Sequence, residues 1–110
     1  MNELKRTALK QELLAYLTQN FETCLQEHKF DKKRKFKFDY AIPELKIAIE
    51  VNGGQWIAGG GRHNRGGKSY QNDLRKLNLA HSQGWRVFQY TYEMLATLEY
   101  KVSFVNITLI

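Results

Sequence analysis

Phe36-Lys37-Phe38-Asp39-Tyr40-Ala41 and, beyond Ile42-Pro43-Glu44, Leu45-Lys46-Ile47-Ala48-Ile49-Glu50-Val51 decide the reading of this chain. Both runs are rich in strand-forming residues, and each carries one carboxylate in its strand-like stretch, Asp39 in the first and Glu50 in the second. The proline-containing segment between them forms a turn. Two adjacent antiparallel strands are therefore expected to bring both acids to one edge of a sheet. Neighbouring carboxylates repel unless a cation neutralises them, and a hard ion such as Mg²⁺ prefers oxygen ligands. Asp39 interrupts Phe36, Phe38, Tyr40 and Ile42, although alternation also allows it a solvent-facing position. Glu50 is flanked by Ile49 and Val51 in a nearly all-apolar run, the pattern of a central strand covered on both faces. Taken together, the two acids read as metal ligands.

Outward from this hairpin, Leu9, Leu13, Leu17, Phe21 and Cys24 recur at intervals of three and four, which predicts one helix from Glu3 to about Glu27. The connector Lys29 to Lys35 is basic; Lys33, Arg34 and Lys35 read either as contacts to a phosphate backbone or as a solvated loop. Downstream, seven of the eight glycines fall between Gly53 and Gly67, interleaved with Arg62, His63 and Arg65 and followed by Lys68. Glycine lets a backbone approach a ligand closely, so this basic stretch reads as a loop that settles on a nucleic acid, or as a plain insertion. Ser69 is the expected N-cap of a second helix reaching about Gln83, with Tyr70, Leu74, Leu77 and His81 as its inner stripe and Gly84 as its stop. Trp85 to Thr91 predicts another strand, Tyr92 to Glu99 a short helix, and Val102 to Ile110 a β-prone end. The order α-β-β-α-β predicts an α/β sandwich with a mixed central sheet flanked by helices.

The 110 residues fit one domain, 1–110, whose modest core oligomerisation would help. A formal charge of +6 favours a polyanionic partner. The single cysteine, Cys24, excludes an internal disulfide and leaves no cysteine cluster for structural zinc. The N-terminal run Met1-Asn2-Glu3-Leu4-Lys5-Arg6 enters a charged amphipathic stretch with no apolar leader, and no segment has membrane-spanning length, so a cytoplasmic location is expected.

The acids and their surroundings resemble the PD-(D/E)XK nuclease superfamily, in which an Asp on one strand and an acid on the next bind Mg²⁺, followed after one residue by a lysine. Asp39 and Glu50 match the acids, no proline precedes Asp39, and Asn52 stands at the lysine position. Glu50-Val51-Asn52-Gly53-Gly54-Gln55-Trp56 is similar to the E-V-D-G-x-Q-H run of small nucleases related to the very-short-patch repair endonuclease. The downstream Asp73-Leu74-Arg75-Lys76 and Gly84-Trp85-Arg86-Val87 follow in the same order as the D-x-x-R and G-[WY]-x-V pieces of those relatives, with Lys76 at the arginine position of the first. The likeness covers about Lys35 to Tyr90.

The resemblance implies a restriction-endonuclease-like fold and a Mg²⁺-dependent endodeoxyribonuclease, with Mn²⁺ able to substitute. Asp39, Glu50 and the Val51 carbonyl would hold the metal. Lys76 would replace the missing lysine, with the competing reading of an ordinary helical ion pair to Asp73. Asn52 and Gln55 would assist at the phosphate, and Glu12 on the first helix is a weaker catalytic candidate beside a solvated-surface reading. Lys33, Arg34, Lys35, Gln55, Arg62, His63, Arg65 and Lys68 would contact DNA, and contacts of this kind carry affinity more than sequence specificity. A homodimer acting on branched or duplex DNA is one expected form, with the apolar tail as its interface or as an edge strand of its own sheet. The rivals are a non-catalytic DNA-binding module on the same fold and an RNase.

Overall fold

The computed structural model describes residues 1–52 and 67–108. Its order is α1 (Glu3–Asn20), β1 (Leu25–Lys29), β2 (Lys37–Ile42), a 3₁₀ turn (Pro43–Leu45), β3 (Ile47–Asn52), α2 (Gly67–Ser82), β4 (Arg86–Thr91), α3 (Tyr92–Ala96) and α4 (Glu99–Thr108). The strands form one mixed sheet in the order β1-β2-β3-β4, antiparallel except for the parallel pair β3–β4. Among the described residues, the expected α-β-β-α-β order is present as α1, β2, β3, α2 and β4, with the short helix expected from Tyr92 present as α3 but ending at Ala96, and with β1 and α4 in addition.

Alternation along the strands separates two apolar layers. Tyr40, Ile42, Ile47, Ile49 and Tyr90 face Leu13 and Leu17 of α1, Leu95 of α3, and Tyr100 and Phe104 of α4. The opposite face carries Ala41 and Ala48, small residues that admit Ala80 of α2 and Trp85. Phe38 belongs to this second layer although Tyr40, two residues on, belongs to the first. The alternation therefore slips at Asp39. Across the sheet, Glu27 occupies the position between the pairs Gln26↔Tyr40 and His28↔Phe38, and its φ of 50° is left-handed.

Four expectations are corrected. The first helix stops at Asn20, with Phe21 N–H closing on the Leu17 carbonyl at 2.9 Å. Phe21 still fills the core, but Cys24 lies beyond the helix, and the chain turns into β1. Pairing with β2 overrides the helical preference of Gln26 and Glu27. The inner face of α2 is not the Tyr70 stripe: Tyr70 and Leu74 are exposed, as is His81, whereas Ala80 is buried and Lys76 and Leu77 lie partly buried. The face toward the sheet has to admit a lysine, which displaces the apolar stripe expected there. The helix also begins at Gly67, ahead of Ser69. The C-terminal stretch is helix α4, because Tyr100, Phe104 and Ile107 recur at helical spacing and pack on the first core layer; it adds no strand to the sheet.

Gly84 ends α2 as expected. Its φ is 88°, its N–H meets the His81 carbonyl at 3.0 Å, and the Trp85 N–H meets the Ala80 carbonyl at 3.0 Å. This pair of bonds is a Schellman closure, and the accompanying apolar contact joins Trp85 to Ala80. The closure sets the direction in which β4 leaves the helix. Among the described residues, no helix is long and apolar enough to cross a membrane.

Candidate functional site

The β2–β3 register pairs Ile42 with Ile47, Ala41 with Ala48 and Tyr40 with Ile49. Continued by one residue, it sets Asp39 across from Glu50. The Asp39 carboxylate reaches over to β3, where Oδ2 accepts the Val51 N–H at 2.7 Å. That bond fixes the carboxylate at the position where the strand alternation slips.

Glu50 projects toward α2, and there it meets Lys76, whose Nζ forms an ion pair with Oε1. Both side chains are largely covered, with 16% of Glu50 and 21% of Lys76 accessible. Lys76 Nζ also lies 5.7 Å from the centre of the Phe38 ring. Burial pushes the Glu50 carboxyl above its ordinary range. Lys76 opposes the shift by hydrogen bond and charge, while Asp39 and Asp73 add to it. The upward direction means that desolvation and like charge outweigh the one ammonium. Burial thus disfavours the charged form of Glu50, and the Lys76 ammonium offsets it only in part.

These groups line a cleft of about 170 Å³ between α2 and the ends of β2, β3 and β4. Asp39, Glu50, Val51, Asn52, Asp73 and Lys76 form its polar wall, and Phe38, Leu77 and Val87 its apolar one. Gln89 of β4 completes it, accepting from Asn52 Nδ2 through Oε1 at 2.9 Å. Glu50 and Gln89 are direct partners in the parallel register. Gln89 was not singled out from the sequence; its signal was the two-residue spacing from Val87 within β4, which puts both on the α2 face.

The structure brings together Asp39, Glu50, Val51, Asn52 and Lys76, together with Asp73. Glu12 is elsewhere. It lies on α1, across the sheet, where its Oε1 accepts from the Tyr100 hydroxyl at 3.4 Å. Lys33, Arg34 and Lys35 are exposed in the β1–β2 connection. This connection is pinned by Asp31, which accepts the N–H groups of Lys33 and Arg34 at 3.0 and 2.9 Å and the Gln83 side-chain amide at 2.8 Å. Those bonds hold the Asp31 carboxyl below its ordinary range, the Arg34 N–H first. Gln55, Arg62, His63 and Arg65 lie outside the described residues, and of Lys68 only the backbone, in the first turn of α2, is described.

Among the described residues, no group of three or more His, Cys, Asp and Glu side chains is gathered to hold a metal. A cation in the cleft would therefore rely on the carboxylates of Asp39 and Glu50 with backbone oxygen or water completing its shell. Hard oxygen donors and room for an ion with its water are the chemistry that Mg²⁺ or Mn²⁺ favours. Comparison with family models, with curated proteins and with solved structures finds no match to this chain.

Proposed function

We propose that this chain is a Mg²⁺-dependent endonuclease that hydrolyses phosphodiester bonds in DNA, built on a restriction-endonuclease-like fold of the PD-(D/E)XK type. The observation that carries the reading is the convergence of Asp39, Glu50 and Lys76 in one cleft, two acids from adjacent strands and one cation from the following helix. An ordinary helical ion pair with Asp73 would keep that ammonium on its own helix. Instead it is aimed at the sheet.

A bound divalent ion would polarise the phosphate and acidify a water for in-line attack. Asp39 is positioned for such an ion by the Val51 N–H, which fixes Oδ2 and leaves Oδ1 as a donor. Glu50 would find a stronger counter-charge in such an ion, and Lys76 would be available to a phosphate oxygen, where its charge would stabilise the negative charge that grows in the transition state. Asn52, held by Gln89, stands beside them as a hydrogen-bonding group where the motif has lysine. Phe38, Leu77 and Val87 keep this wall of the cleft apolar, which strengthens the electrostatics within it.

The test is incubation with supercoiled plasmid, single strands and a synthetic junction in Mg²⁺, Mn²⁺ or EDTA, with an RNA strand in parallel. Metal-dependent cleavage of DNA that Asp39→Ala and Glu50→Ala abolish is the expected result. Asn52 at the lysine position favours one second reading, a DNA-binding module that retains the fold without catalysis. Binding without cleavage under every metal condition would select that reading, and cleavage confined to RNA would make the chain an RNase.

A further inference from the structure

The segment between β1 and β2 carries more chemistry than a tether needs. Lys29, Lys32, Lys33, Arg34, Lys35 and Lys37 place six cations within nine residues, all exposed. The only acid among them, Asp31, is engaged by two backbone N–H groups and by Gln83, so it orders the loop. Interleaved with the cations are aromatic rings in parallel array. Phe30 stacks on Phe38 with ring centres 4.2 Å apart and planes 6° from parallel, and on Phe36 at 6.4 Å and 16°. The Arg34 guanidinium lies over the Phe36 ring at 5.0 Å. Phe38 in turn lines the cleft and carries Lys76 above it.

Folding alone does not account for the outer end of this array. Phe38 is buried and anchors it to the core, but Phe36 and Phe30 keep part of their surface open. A planar cation on an open aromatic ring, ringed by lysines, has the composition of surfaces that stack bases and follow phosphates. Duplex DNA hides its base faces within its own stack. An unpaired strand offers them.

We propose that residues 29–37 form a docking platform for an unpaired stretch of DNA, whose bases stack on Phe36 and Arg34 while the surrounding lysines carry its phosphates toward the Asp39–Glu50 cleft. This rests on the reading of that cleft as a phosphodiester site, and it narrows the substrate to DNA with single-stranded character, such as a flap, a gap or a branch. The charge sequence matches a polyanion, and the shared ring Phe38 makes the platform continuous with the cleft.

The experiment measures equilibrium binding of the full chain in EDTA to a fluorescent single-stranded DNA, to the same sequence as duplex, and to the RNA strand, so that no cleavage is required. Phe36→Ala is expected to weaken single-strand binding about tenfold and duplex binding by less than about twofold, with Phe36→Trp restoring the single-strand affinity. Phe36→Leu, which keeps apolar bulk without a π face, should bind as weakly as the alanine variant and thereby separates stacking from loss of fold. Lys33→Gln and Lys35→Gln should weaken both DNA forms and flatten the salt dependence. Equal loss for duplex and single strand in Phe36→Ala, or full affinity in Phe36→Leu, overturns the platform; tighter binding of the RNA strand overturns its assignment to DNA. Absence of cleavage with any metal sinks the nuclease reading and leaves this binding result standing, so the two failures are distinct.

Discussion

Lys76 of α2 and Glu50 of β3 form an ion pair across the helix–sheet boundary, inside the cleft that also holds Asp39. The pair links sequence to candidate chemistry in one step. In the proposed nuclease reading, Lys76 supplies from the facing helix the cation that the strand lacks at Asn52. Lys76→Met should therefore lower the single-turnover cleavage rate by about 10²- to 10³-fold, the size of effect seen when one stabilising donor is removed from a transition state. Metal affinity should be kept or raised, since a competitor for Glu50 has been taken away. A cleavage rate within a few-fold of wild type would assign Lys76 to structure alone.

Glu50 also makes a prediction about stability. Its folded-state carboxyl lies above its ordinary value of 4.5, burial being the largest cause. A carboxylate raised in this way is costly to the fold when ionised. As pH falls through the raised value, the folded chain takes up a proton before the unfolded chain does, so stability rises over that window and levels off below the ordinary value. Glu50→Gln removes the ionisation and should melt higher than wild type at neutral pH in EDTA, with the difference closing as pH falls below about 4. Melting curves across that range check it. A variant that melts lower at every pH would show that the Lys76 contact outweighs desolvation.

Metal binding should appear as stabilisation even without substrate. A ligand that binds only the folded chain at a hundredfold excess over its Kd adds about 2.7 kcal/mol. Mg²⁺ or Mn²⁺ should thus raise the melting temperature of wild type, and Asp39→Asn combined with Glu50→Gln should abolish the rise. Differential scanning calorimetry with and without metal reads both. An equal rise in the double variant would place the cation elsewhere on the chain.

The parts of the fold that were legible in the sequence are those where burial and chemistry conflict. Asp39 and Glu50 stand out because apolar strands expel charge, and the turn at Pro43 fixes them on neighbouring strands. Gly84 was legible because a helix stop needs a residue that accepts positive φ. β1 was not, since an edge strand has little apolar alternation: Leu25 is 39% exposed and only His28 of its five residues is partly covered. α4 was misread through its valines and isoleucine, whose strand preference yields to the four-residue spacing of Tyr100 and Phe104. The inner face of α2 was hidden for a related reason. Its apolar residues Tyr70 and Leu74 point outward, and the side chain that matters to the sheet is a lysine.

Gly84 offers a test of the scaffold independent of any chemistry. Its φ of 88° lies where side chains are strained, while a Cβ built on it meets no atom within 4 Å. Substitution by alanine therefore carries a backbone penalty without a packing one, about 1–2 kcal/mol. Because the same residue closes α2 and launches β4, the penalty falls on the junction that holds Lys76 opposite Glu50. Gly84→Ala should lower stability in urea by that amount, whereas Gly84→Asn, a residue more tolerant of the left-handed region, should recover part of it. Equal stability of wild type and the alanine variant would mean that the helix can end without the left-handed residue.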